Sequence, residues 1–283
     1  MRMRAARMHR YGGNEVVVID ELDCPLVGPG EVLVRVEAAG VNPVDWKIRE
    51  GYMSKFLPIQ LPYTLGCDLS GTVEAIGEGV QRFRVGDAVY GYPQLIRSGA
   101  FAEAVVMLES ELALAPTSMP LFEAAALPVA VNTAYDGLFL HGSLEAGMRV
   151  LILGGSGGVG SAAVQLAKWA GAEVFATASA RNQDWLRSMG AIAIDYGLQS
   201  TPDVVQDVDL IFDTVSVESS EAALPSLKRG GLLVSSTYAL PAKAVLEQYG
   251  VRAVMYGIQP SGERLSHIAS IVDQGAVLSL IHI

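Results

Sequence analysis

The sequence predicts an α/β protein of two units, a helix-covered parallel sheet preceded by a compact, barrel-like β domain. Three observations carry this reading. From Val150 onward, apolar strand segments alternate with helical ones. Before residue ~115, glycine and proline cut the chain every few residues into short β-rich runs. At the start of the later region, LILGGSGGVGSA (Leu151–Ala162) passes from an apolar run through clustered glycines into a helical pattern.

In the first unit, EVLVRVEAAG, LSGTVEAIGEG and GDAVYGYP are alternating or β-branched segments closed by Gly, Asp or Pro. MRMRAAR, at the start, is expected to be a solvated terminus. Around Ser118 the pattern changes. SMPLFEAAAL carries a candidate Ser cap with proline just inside a helix start, and a second helix is expected through TAYDGLFLH. Farther on, VLIL, EVFATA, AIAI, VDLIFD, GLLVSS and VRAVMYG are near-continuous apolar strands, as in a parallel sheet buried on both faces. The helices between them are GVGSAAVQLAKWAG, RNQDWLRSMG, SSEAALPSLKRG and SGERLSHIASIVDQG, most of them ending at a glycine suited to the left-handed C′ position. Val159, Ala163, Leu166 and Ala170 share one face of the first. The expected division is 1–117, 118–277 and a separate tail, 278–283.

Composition excludes several classes. Half of the 283 residues are apolar (51%), enough for a sizeable core. A net charge of −10 without a basic stripe argues against a nucleic-acid partner. No apolar run approaches the ~20 residues of a membrane span. Two cysteines, Cys24 and Cys67, cannot form a disulfide framework and suit a reducing compartment, so cytoplasm is the expected location. The four histidines are scattered and no strand–helix GxSxG elbow is present, which argues against a hydrolase.

Within the turn, Gly155-Ser156-Gly157-Gly158-Val159-Gly160 satisfies GxGxxG. The first glycine is expected to make the tight turn, the second to let a pyrophosphate approach, and the third to let helix pack on strand. Free N–H groups and the dipole at the helix start would then face the phosphates. The next strand, EVFATASARN, ends without a carboxylate to hold a ribose 2′-OH. It offers Ser179 and Arg181 instead, a hydroxyl and a guanidinium that suit a 2′-phosphate, so NADP(H) is the expected cofactor. Ser179 capping the following helix, with Arg181 in solvent, is the alternative.

Taken with AAGVNPVDWKIREG, LPYTLGCDLSGTVEAIGEGV, RFRVGDAVYG, ALPVAVNTAYDGL, GGSGGVGSAAVQLAKWAGAEV and AIDYG, the chain resembles the zinc-independent quinone oxidoreductase branch of the medium-chain dehydrogenase/reductases. The resemblance implies a GroES-like catalytic unit, a Rossmann unit and a cofactor cleft between them. It places Asn42, Cys67 and the neighbourhood of Val129 where zinc-dependent relatives carry metal ligands. One thiol among Asn and Val cannot make a three-ligand zinc site, so no metal is expected and Cys67 reads as a buried small residue. The implied chemistry is NADPH-dependent hydride transfer to a small electrophile, a quinone or the C=C bond of an enone. Reduction of an enoyl thioester is the alternative, and an NADPH-binding protein without turnover the alternative of another class. By the same resemblance Asn42 and Thr133 lie near the nicotinamide, and Ser179, Arg181 and Tyr196 surround the adenosine phosphate. Asp45 and Tyr52 are candidates for the substrate pocket, Tyr52 as a proton donor, while turn-setting by Asn42 and Asp45 and packing by Tyr52 remain open. Pairing of two copies through the Rossmann edge strand, VRAVMYGIQ, is also implied.

LSLIHI (Leu278–Ile283) does not continue as the resemblance implies. It is also the in-frame translation of CTG TCT CTT ATA CAC ATC, the start of a transposon-end sequencing adapter. The expectation is that the reading frame enters adapter after Val277 and that the C-terminal part of the GroES-like unit is missing.

Overall fold

The computed structural model describes residues 2–97 and 99–277. The expectation for Leu278–Ile283 lies outside the described residues.

The first unit runs β1 (Arg2–Met8), β2 (Val17–Asp23), β3 (Glu31–Gly40), α1 (Pro43–Arg49), β4 (Tyr63–Thr64), β5 (Asp68–Ile76), β6 (Ala88–Gly91), β7 (Ala104–Leu108) and β8 (Leu112–Leu114). Its strands form an antiparallel sheet in the order β7-β3-β5-β6-β8 and a smaller one, β2-β1-β4. Register shifts in the β3–β5 pair are the bulges that bend such sheets into barrels. Alternation along β3 turns Val32 and Val34 into a core with Leu69, Val73, Val89 and Met107. A second cluster of Met8, Val16, Ile48, Tyr63 and Leu65 seats α1 on the barrel through Ile48.

The basic start is not a loose terminus. Residues 2–8 form β1, which pairs along its whole length with β2 and buries Ala5 and Met8, while the Arg2 and Arg4 side chains stay in solvent.

The second unit begins with α2 (Leu121–Ala124) and α3 (Pro128–Tyr135), which continues as a π-helical turn at Asp136–His141. Ser118 does not cap α2; Pro120 holds the N-cap. The Thr117 and Ser118 amides instead donate to the Asp273 carboxylate at 2.8 and 2.9 Å, a longer-range contact invisible to a local capping rule. There follow β9 (Arg149–Leu153), α4 (Gly158–Trp169), β10 (Glu173–Ala178), α5 (Gln183–Ser188), β11 (Ile192–Asp195), α6 (Thr201–Val204), β12 (Val208–Asp213), α7 (Val217–Ala223), β13 (Leu227–Ser235), α8 (Lys243–Tyr249), β14 (Arg252–Met255) and α9 (Gly262–Asp273). The apolar strand segments all form strands. The short helices α6 and α8 were not anticipated, since neither TPDV nor KAVLEQY is long enough to display a clear helical period.

These six strands make one parallel sheet ordered β11-β10-β9-β12-β13-β14. Period-2 alternation divides β9 between two cores. Val150 and Ile152 pack with Ala163 and Leu166 of α4 and Leu265 of α9; Leu151 and Leu153 face Phe175, Ile194, Ile211 and Leu224. Val159 and Ala170 flank Ala163 and Leu166 against the first of these cores, as the sequence pattern predicts. Between the units, the buried Tyr90 hydroxyl donates to the Leu265 carbonyl at 2.6 Å.

At the end of β9 the tight turn falls on Gly154, whose φ is +80°, rather than on Gly155. Gly155 is needed for a different reason: a Cβ there would stand 2.7 Å from the Ala176 methyl on β10. A Cβ on Gly160 would overlap the Gly154 carbonyl oxygen, whereas one on Gly157 would meet only that oxygen at 3.4 Å. Gly160→Ala is therefore expected to cost about 1–3 kcal/mol of overpacking and to lower Tm by several degrees. Gly157→Ser, a good N-cap residue in open space, should leave Tm within a degree or two, as thermal unfolding followed by circular dichroism would register.

Candidate functional site

Strand order reverses between β9 and β12, since the chain builds outward to β10 and β11 before crossing to β12, β13 and β14. In such sheets the ligand crevice lies beyond the carboxyl ends of the strands at the reversal. The glycine turn sits there and is clamped from both sides. On one side Thr177 of β10 accepts the Gly154 N–H on its Oγ1 at 3.0 Å and the Gly155 N–H on its carbonyl at 2.9 Å. On the other, Thr214 after β12 donates its hydroxyl to the Leu153 carbonyl at 2.7 Å.

Gly157 is the N-cap of α4, and the N–H groups of the first turn have no intrahelical acceptor. They face a space kept open by hydrogen: the only neighbour that a Cβ on Gly158 would meet is Ala130 of α3, at 3.9 Å. This cradle and its positive dipole end fit the pyrophosphate of a dinucleotide.

Around its rim, Asn182 donates to Ser156 Oγ at 3.0 Å and lies 3.5 Å from Ser179 Oγ. Ser179 precedes a short 3₁₀ turn, yet its side chain makes no capping bond, so the hydroxyl is not consumed by the backbone. Arg181 is exposed and forms no ion pair among the described residues. Tyr196 follows β11, and its N–H reaches the Ala178 carbonyl at 3.4 Å, which sets it beside the end of β10. The structure thus gathers Ser156, Ser179, Arg181 and Tyr196 at one end of the sheet. Asn182 was missed, although its position next to Arg181 in SARN was a local signal.

A second cluster joins the two units. Asn42 is the N-cap of α1, and its N–H donates to Asp45 Oδ2 at 2.6 Å. Asp45 is 5% exposed, and its other oxygen accepts the Cys67 thiol proton at 2.9 Å. Both oxygens are engaged, so Asp45 does not line a substrate pocket; it fixes the start of α1 and Cys67. Burial, the largest influence on each, raises the Asp45 carboxyl and pushes the Cys67 thiol far up, where it stays protonated.

Asp68, absent from the sequence candidates, lies at the centre. Its side chain is only 1% exposed. Oδ2 accepts the Asn42 side-chain amide at 2.7 Å and Oδ1 accepts the Val129 N–H at 2.8 Å. Val129 is in the first turn of α3, and its carbonyl accepts the Thr133 hydroxyl at 2.6 Å. Asn42 and Thr133, far apart in sequence, are thereby ends of one hydrogen-bonded chain. Ala130 beside Gly158 brings that chain to the glycine cradle. Among the described residues, no group of three His, Cys, Asp or Glu side chains is arranged to hold a metal ion.

Tyr52 is exposed and meets Trp46 edge-on at 5.7 Å. Lys47 lies over the Trp46 ring at 5.9 Å and over the ring of Tyr238, on the β13–α8 loop of the other unit, at 5.6 Å. Tyr238 is 60% exposed, but burial of its phenol end, with Cys67 nearby, raises its pKa. No local signal marked Tyr238, because only the folded chain sets that loop opposite α1.

Comparison with known proteins agrees with this fold. Residues 28–117 match the alcohol dehydrogenase GroES-like domain, and residues 158–263 match the family described as zinc-binding dehydrogenase. The chain is 34% identical to a 2-methylene-furan-3-one reductase of Solanum lycopersicum, over 99% of this chain and 71% of that protein. It is 36% identical to an NADPH-dependent alkenal/one oxidoreductase of Arabidopsis thaliana, over 84% of this chain and 63% of that one. The quinone oxidoreductase of Coxiella burnetii superposes with a TM-score of 0.89 at 31% identity, covering 98% of this chain and 89% of the other. No helix among the described residues is long and apolar enough to cross a membrane. Both domain families in sequence order, and a relative matched along most of its length, place the chain in the medium-chain dehydrogenase/reductase family.

Proposed function

We propose that the protein is an NADPH-dependent reductase that delivers hydride to a quinone or to the activated C=C bond of an enone. The observation that carries this reading is the donor set at the cleft. A carboxamide (Asn42), a protonated thiol (Cys67) and a backbone amide (Val129) stand where the resemblance puts zinc ligands in zinc-dependent relatives, and Asp68 and Asp45 already occupy their hydrogen bonds. Such groups orient and donate but do not supply a Lewis acid. An acceptor that already carries a low-lying π* orbital needs no metal polarisation, only orientation, hydrogen-bond donors for the developing enolate or quinol oxygen, and a proton. The names of the two plant relatives, and of the Coxiella protein, support the same chemistry.

NADPH would supply the hydride; the protein supplies its placement. Gly157 and Gly158 leave room for the pyrophosphate against the α4 amides, while Ser179, Arg181 and Tyr196 are proposed to hold the adenosine phosphate. Thr133 and Asn42 flank the nicotinamide end, and the exposed rings of Trp46, Tyr52 and Tyr238 offer flat apolar faces to a conjugated substrate. Tyr52 is the proposed proton donor: its hydroxyl passes a proton to the carbon next to the carbonyl, or to the quinol oxygen. The catalytic unit is taken as 1–117 and the nucleotide unit as 118–277, supported by the end of β8 at Leu114. Among the described residues β14 is the last strand of the sheet, which supports pairing of two copies along Arg252–Met255. Both cysteines are free, which supports a reducing location such as the cytoplasm.

The deciding experiment is NADPH oxidation across a panel of quinones, enones and enoyl thioesters. Turnover of quinones or enones supports the proposal; preference for thioesters replaces it with the enoyl reductase reading. Tight NADPH binding without turnover of any of these would make the protein a nucleotide-binding module. Arg181→Ala is expected to weaken NADPH about tenfold or more while sparing NADH, since a charge-assisted bond contributes about 1.5–3 kcal/mol. Gly157→Ser should weaken both nucleotides by filling the cradle. Fluorescence titration with each nucleotide checks both variants.

A further inference from the structure

The buried Asp68 carboxyl has no part in the proposed hydride transfer itself, yet it joins the nicotinamide-side residues of both units. It takes the Asn42 amide from the head of α1 and the Val129 N–H from the head of α3. The fit around it is close: Asp68 pairs with Gly40 across β5 and β3, and a Cβ on Gly40 would come within 2.9 Å of Asp68 Oδ2. Neither oxygen faces water. Such a group is costly to bury unless both its acceptor positions are used, and here both are.

We infer that Asp68 is a positioning residue for the reductase, holding the Asn42 side chain in one orientation and at a fixed distance from Thr133 across the cleft. This rests on the proposed placement of Asn42 and Thr133 beside the nicotinamide. The physical argument is donor–acceptor logic. An ionised carboxylate only accepts, so it must draw the Asn42 Nδ2 toward itself and turn the Oδ1 away. A neutral carboxyl is both donor and acceptor and no longer discriminates between the two ends of the amide. The Val129 N–H holds the other oxygen, so the carboxyl cannot rotate to follow Asn42 without abandoning α3. Asn42, Asp68, Val129 and Thr133 are thus a single relay of orientation between the units. Sub-ångström drift of the Asn42 side chain misplaces the reacting atoms, which costs large factors in rate rather than in binding.

Protonation adds a dependence on pH. Burial lifts the Asp68 carboxyl to about 7, against the hydrogen bonds from Asn42 and Val129 that lower it. The titratable groups facing it are Asp45 on α1, Cys67 just before β5 and Tyr92 just past β6. Burial raises Asp45, whose charge opposes ionisation of Asp68, and holds Cys67 and Tyr92 protonated across this range. Ionised Asp68 is the orienting form, so kcat should rise as pH passes through about 7. Stability runs the other way. The native carboxyl retains a proton that the unfolded chain, with its ordinary value of 3.8, has released, so this group makes the protein less stable as pH climbs toward 7.

The test compares Asp68→Asn, Asn42→Ala and the double variant with the parent, measuring kcat and KM from pH 5.5 to 8.5 (about the span needed to bracket that titration) and NADPH affinity by fluorescence. Asp68→Asn keeps the shape but offers one acceptor for two donors. The expected result is a kcat loss of about tenfold to a hundredfold, near-constant NADPH affinity and a flattened pH profile. The double variant should be no worse than Asn42→Ala alone, because Asp68 acts through Asn42. If Asn42→Ala slows the enzyme but Asp68→Asn does not, or if the two losses simply add, the inference is overturned. If Asn42→Ala leaves kcat untouched, the placement of Asn42 itself is wrong, a separate failure. Should Asp68→Asn not fold, Asn42→Ala alone still decides: its kcat profile must lose the rise near pH 7 that the parent shows, and retention of that rise refutes the relay.

Discussion

The two units of this protein meet through a carboxylate that water does not reach. Asp68 sits at the first position of β5, accepts one hydrogen bond from α1 and one from α3, and so fixes the distance between the barrel and the sheet where the cleft opens. Most else at the cleft is arranged around that constraint. Gly40 lacks a side chain opposite it, Asp45 locks the α1 cap that presents Asn42, and Cys67 is spent as a donor to Asp45. Removing one donor from such a group leaves a buried acceptor without a partner, which costs more than the bond itself is worth.

The nucleotide side is organised by a different economy of space. Its glycines are not interchangeable: Gly154 provides a left-handed turn, Gly155 and Gly160 let two backbones touch, and Gly157 and Gly158 alone face open space. The first three make the turn and the last two make room for a ligand. Threonines at the ends of both neighbouring strands then hold the turn in place, so the cradle is rigid before anything enters it. Preorganisation of this kind keeps the ordering cost of binding low.

Polar contacts gather around α9. Tyr90, Thr117 and Ser118 reach across to α9, and Arg264 of α9 pairs with Asp136 of the π-helical turn at 2.9 Å. The units also share apolar area there, since Tyr90 and Ala113 of the barrel lie in the same buried cluster as Leu127 and Leu265. Lys47 lies over the rings of both Trp46 and Tyr238, on opposite sides of the cleft.

The sequence by itself determined what rests on local period and local sterics. Strand–helix alternation, the glycine turn after β9 and the buried face of α4 were all legible, because a pleat of two and a turn of 3.6 residues impose themselves on any window of chain. The same holds for Ser179 and Arg181, which follow a strand end. What tertiary structure alone decided is long-range. MRMRAAR entered a strand because β2 stood opposite to pair its backbone and the fold buried Ala5 and Met8. Ser118 lost its capping role to Asp273, which sits at the far end of the unit. Asp45 read as a pocket residue until the fold enclosed it, and Asp68 read as nothing until folding set Asn42 and Val129 on either side of it. A carboxyl group's role depends on which donors reach it and whether water can, and neither is written in its neighbours along the chain.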